Sequence, residues 1–133
     1  MSEAAATGPH GNLAACIETI ERAYEYLLAY AAQGRRDDAG TQTRATFAAL
    51  HAALGDVGPL ARAAFTGSDS SIATYLDAVE HDACVARGAV ALVMSRPRIG
   101  SLLVDNLNAS VHLRALLTDV FLLDQALENS QAE

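Results

Sequence analysis

Apolar residues recur along this chain at alternating steps of four and three. Leu13, Ile17, Ile20, Tyr24, Leu27 and Ala31 form one such run, and Ile72, Leu76, Val79, Ala83, Ala86, Val90 and Val93 form another. On an α-helix this spacing gathers every named side chain onto one stripe, which must be buried against another helix to be stable in water. No alternating pattern of strand type competes with it.

Four helices are predicted. The first runs from Asn12 to Gln33 with Gly34 as its left-handed stop. A second side of this helix, Thr19, Ala23, Tyr26 and Tyr30, also asks for burial, and a partner chain is the expected cover. The second helix begins near Asp37 or Asp38, acids suited to a helix N-terminus, and carries Thr43, Phe47, Leu50 and Leu54 inward. Gly55, Gly58 and Pro59 read as its end, with Pro59 opening a short extra helix over Leu60 to Phe65. Ser68 or Ser70 is then the cap for a third helix, Ser71 to Ser95, which Pro97 terminates.

The fourth helix extends from Ile99, or from Ser101, to Glu128, roughly 45 Å at 1.5 Å per residue. It shows two apolar stripes. Leu102, Ala109, Leu113, Leu116, Val120, Leu123 and Leu127 form the main one; Val104, Val111, Ala115 and Leu122 form the second. A lone bundle needs only one, so the second stripe points to self-association. The expected fold is all-α, an up-down-up-down four-helix bundle with a short extra helix between helices 2 and 3. Residues 12–129 make its single domain, and residues 1–11 read as a flexible tail.

Composition narrows the function classes. The chain has 133 residues, no Lys, nine Arg and a net charge of −7, so it lacks the basic stripe that phosphate neutralisation requires. Nucleic acid is not an expected partner. No apolar run approaches the roughly 18 residues of a membrane span, and Cys16 and Cys84 read as reduced thiols within helices. A cytoplasmic setting without membrane contact is expected.

Candidate chemistry is sparse. In the up-down arrangement the turns after helices 1 and 3 fall at one pole and bring together Arg35, Arg36, Arg96 and Arg98, a possible anion-binding group because guanidinium grips carboxylate and phosphate in forked pairs. Favourable charge at helix C-termini explains the same residues without a ligand. Counting down from that pole, His51, His81 and His112 share a layer with Glu21, and Asp77, His81 and Cys84 align on one helix face at spacings suited to zinc. His81 points away from the seam of its helix, and an outer-face stripe reads as polar surface, so neither set is taken as a metal site. Asn106 and Asp124 intrude on the main stripe of helix 4, as a paired or pocket-lining set, with Arg62 or Arg87 as candidate partners for Asp124. No catalytic motif is present and no cofactor is expected. The sequence therefore favours a non-catalytic adaptor, assembly factor or regulatory subunit that acts through protein association, with a homo-oligomer and a protein partner expected. Tyr26, Tyr30, Val104, Val111 and Leu122 are its expected contact residues. A metal- or small-ligand-binding bundle is the alternative.

Overall fold

The computed structural model describes residues 8–132, all-helical and without a strand among them. Five helices follow in order: α1 Pro9–Ala31, α2 Thr43–Ala64, α3 Ser70–Met94, α4 Ser101–Ala109 and α5 His112–Ala132. Both α1 and α3 pack on α2 and on the α4 and α5 pair. The expected tail lies outside the described residues except for its last four. Of these, Pro9 occupies the first helical position, where its missing N–H is no loss, so α1 starts three residues before Asn12.

The seams of the two long helices are buried as their spacing requires. Leu13, Ile17, Ile20 and Leu27 are in the core of α1, and Leu76, Val79, Ala83, Ala86, Val90 and Val93 in that of α3; Tyr24 and Ala31 are half-buried and Ile72 stays partly exposed. Most of the second side of α1 faces α2, while Thr19 is exposed. Ala23 and Tyr30 are buried, and the Tyr26 hydroxyl bonds that of Thr43 at 3.0 Å, with the Tyr26 and Tyr30 rings stacked at 6.1 Å.

Pro59 does not break α2, and there is no separate helix over Leu60 to Phe65; the helix runs through to Ala64. Phe47, Leu50, Leu54, Val57 and Ala61 are buried at continuous helical spacing. An interior proline costs about 3 kcal/mol, whereas each large side chain kept in the core is worth roughly 1.5–3 kcal/mol. Burial wins. Gly55 and Gly58 serve packing: a Cβ on them would stand 3.2 Å from Arg87 Nε and 3.1 Å from Glu80 Cγ, side chains of α3 that cross α2 there.

The break falls instead in the expected fourth helix, at Ser110 and Val111. Val111 has φ 61°, left-handed backbone that a β-branched residue adopts only under strain. The break resets the helical phase. Leu102 and Leu113 are eleven residues apart, only about 20° on a continuous helix, yet Leu102 is 73% exposed and Leu113 is buried. Val104 and Leu113 would lie on opposite faces of a straight helix, and both are in the core. The main stripe is thus buried through α5, from Leu113 to Leu123, whereas of the second stripe only Val104 is buried and Val111, Ala115 and Leu122 are exposed.

Asp69 caps α3, its Oδ1 accepting the N–H groups of Ser71 at 3.0 Å and Ile72 at 3.2 Å; the neighbouring serines do not. The start of α2 also departs from expectation. Asp37 and Asp38 lie in the loop before it, and Asp38 reaches across to the α3–α4 loop.

Candidate functional site

The loops after α1 and α3 meet at one pole. The Ile99 amide donates to Asp38 Oδ1 at 2.9 Å and the Ser101 amide to the Arg35 carbonyl at 2.8 Å. The Tyr30 hydroxyl donates to the Ile99 carbonyl at 2.7 Å, and Ser101 Oγ accepts from the Arg35 amide while donating to the Tyr30 carbonyl. Gly100 has no room for a Cβ, which would stand 2.9 Å from the Arg36 carbonyl oxygen. Arg44, in the first turn of α2, donates to the Met94 and Arg96 carbonyls at the end of α3 and pairs with Asp38 at 3.2 Å. The Ile99 amide first, then Arg44, hold the Asp38 carboxyl below its ordinary pKa.

Arg35, Arg36, Arg96 and Arg98 are all exposed at this pole, and among the described residues none is ion-paired. They do not form a prepared cradle. The Arg35 guanidinium is spent on the Asp37 and Ala39 carbonyls, and Arg96 Nε donates to Ser95 Oγ.

The histidine layer does not assemble. Among the described residues, neither His51, His81, His112 and Glu21 nor Asp77, His81 and Cys84 converge as a metal-ligating group. Asp77 is held by Arg62 at 2.6 Å, with Glu80 on the same guanidinium at 2.9 Å, and these two carboxylates raise the Arg62 pKa, Glu80 the more. Arg87 Nε donates to the His51 carbonyl. Asn106 is exposed, because the phase reset turns it outward, and Asp124 pairs with His10 at 3.1 Å rather than with an arginine. Cys16 is held as a thiol. Its thiol donates to the Ala53 carbonyl, and burial, aided by the charge of Asp56, pushes its pKa up to about 11.

One carboxyl pair escaped the sequence reading. Asp119 of α5 faces Asp82 of α3, and burial first, then the neighbouring Asp82 carboxyl, push its pKa up to about 7. Its Oδ2 is buried without a hydrogen-bond partner, and the Tyr75 hydroxyl donates to the Asp119 carbonyl at 3.2 Å.

Of the expected contact residues, Tyr30 and Val104 belong to the core and present no surface. Tyr26 is half-buried against α2. Val111 and Leu122 are exposed, Leu122 at 60%. Beside Leu122 in sequence, Phe121 is 41% exposed and helps wall a groove of about 300 Å³ between α1 and α5. Tyr24, Leu28 and Leu117 complete its apolar lining, with Glu21 and Glu25 on the α1 side and Arg114 on the α5 side. Leu28 and Phe121 fall outside the seams of their helices, so hydrophobic spacing alone does not mark them as a contact surface.

No helix among the described residues is long and apolar enough to cross a membrane. Comparison with protein-family models, with curated proteins and with solved structures returned no match.

Proposed function

We propose that the protein is a non-catalytic association module that pairs with a second copy of itself through the α1 and α5 groove, an adaptor or regulatory subunit of the cytoplasm. One observation carries the reading: Leu28 and Phe121 leave large apolar side chains in water in a groove that Tyr24 and Leu117 also line. Exposed apolar side chains grouped at a concavity mark contact surfaces more often than scattered ones do. The rim favours a second copy over an unrelated partner. Acids stand on the α1 lip and Arg114 on the α5 lip, so a twofold-related chain would set its Arg114 against Glu21 or Glu25 in both directions. In this reading the fold is an up-down-up-down bundle whose fourth arm is α4 and α5 together.

The test is sedimentation of the full chain against Phe121→Asp and Leu28→Asp. A dimeric parent and monomeric variants of unchanged helicity are the expected result. A monomeric parent at roughly 100 μM, well above the Kd of a working interface, overturns the proposal.

A further inference from the structure

The first turn of α1 and the last turns of α5 bring together His10, Asp124 and Glu128. One ligand atom of each lies within 4.8 Å of the other two, and His10 Nε2 is 3.1 Å from Asp124 Oδ1. The His10 and Asp124 side chains are only 19% and 25% exposed, so this cluster is partly withdrawn from water. Asp124 and Glu128 are one helical turn apart, which places both carboxylates on one face of α5. Proline at the first position of α1 is preorganised for the helix, and His10 follows it in the first turn.

We infer that His10, Asp124 and Glu128 form a binding site for a divalent transition-metal ion of the zinc class. Zinc is held at about 2.0–2.2 Å by imidazole nitrogen and carboxylate oxygen, so two ligands of one tetrahedral or octahedral ion stand roughly 2.8–3.6 Å apart. The observed 3.1 Å lies in that range. A simple His–Asp pair has no use for Glu128, whereas a metal ion needs the third donor. One nitrogen and two oxygens suit zinc and its neighbours, and the imidazole disfavours calcium and magnesium. Electrostatics agrees. The N-terminus of α1 contributes a partial positive charge of about half a unit, which two full carboxylate charges outweigh.

Three protein ligands leave a coordination position for water. Asp124 also borders a groove lined by Gly11, Ala14, Ala15, Glu18, Glu21 and Phe121, whose small residues leave about 430 Å³ open beside the cluster. The ion is therefore reachable by solvent and small solutes. Its binding would join the two ends of the chain's helical region, α1 to α5.

The experiment is titration of the full chain with Zn²⁺ alone, reading stoichiometry calorimetrically and thermal unfolding in parallel. The expected result is one ion per chain, a raised Tm, and binding weakened at least about tenfold in His10→Ala and in Asp124→Asn. The second variant keeps a hydrogen-bonding group of the same shape, so it separates lost ligation from lost structure. Binding should persist in a His51→Ala, His112→Ala double variant. Absence of stoichiometric uptake by the parent chain, or uptake that survives both cluster variants, overturns the site.

Discussion

Ser101 is one of two buried polar residues among the described residues, and its hydroxyl and amide bond chain segments far away in sequence. Its hydroxyl accepts from the Arg35 amide and donates to the Tyr30 carbonyl, and its own amide donates to the Arg35 carbonyl. Truncation to alanine leaves the Arg35 amide without its acceptor. The Tyr30 carbonyl retains the Gln33 amide. One orphaned donor costs about 1–3 kcal/mol, so urea unfolding of Ser101→Ala should show that loss, while Thr74→Ala on the exposed face of α3 stays within about 0.5 kcal/mol of the parent. Equal losses would mean that the bridge contributes nothing. This contact also shows what one sequence conceals. Hydrophobic spacing exposed Leu13, Ile17 and Leu76 as core residues because the information is local; Ser101, Arg44 and His10 act on residues 50 to 114 positions away, and their roles exist only once the helices are assembled.

At the scale of elements, two residues reverse the breaks that local chemistry predicts. Pro59 lies inside α2, where continued burial of Val57 and Ala61 outweighs its lost hydrogen bond, while Val111, a residue with no turn propensity, divides α4 from α5. The two apolar stripes already encoded the division, since Val104 and Leu113 cannot both face one core along a straight helix. The left-handed Val111 costs about 1–2 kcal/mol, less than the burial of Val104, Leu107, Leu113 and Leu116 that it permits. Val111 sits just beyond the C-cap of α4, the position where glycine is ordinarily found. Val111→Gly should therefore raise stability by roughly 0.5–1 kcal/mol after the extra entropy of an unfolded glycine is subtracted. Little burial is forfeited, because the valine is 43% exposed. A fall of about 1 kcal/mol or more would show that the valine packs more productively than its strain costs.

For the whole molecule, Asp38 and Asp119 are carboxyl groups with opposite displacements that shape stability against pH. The folded state holds Asp38 ionised, so its contribution is present above the ordinary carboxyl pKa and is lost as pH falls through the lower folded value. Asp119 behaves in reverse. With its folded pKa near 7 and an unfolded value near 3.8, the native chain keeps a proton that the unfolded chain gives up. That advantage is complete below about pH 4 and gone by about pH 7, where Asp119 must ionise beside Asp82 across the α3 and α5 seam. The profile should peak between these limits and decline toward neutrality. Asp119→Asn removes the alkaline decline, because a neutral amide of the same shape cannot ionise beside Asp82. Unfolding midpoints measured from pH 4.5 to 8.5 should converge with the parent at the acidic end and exceed it at pH 8, by roughly 1 kcal/mol after allowance for partial exposure. A parallel offset at every pH would instead assign the effect to packing. Phe121, Leu122 and Asp124 follow Asp119 along α5, so a chain loosened at this seam above neutral pH would also present a less ordered groove. Repeating the sedimentation measurement at pH 5.5 and 8 connects the two, since weaker pairing at pH 8 in the parent but not in Asp119→Asn is the outcome a shared helix requires.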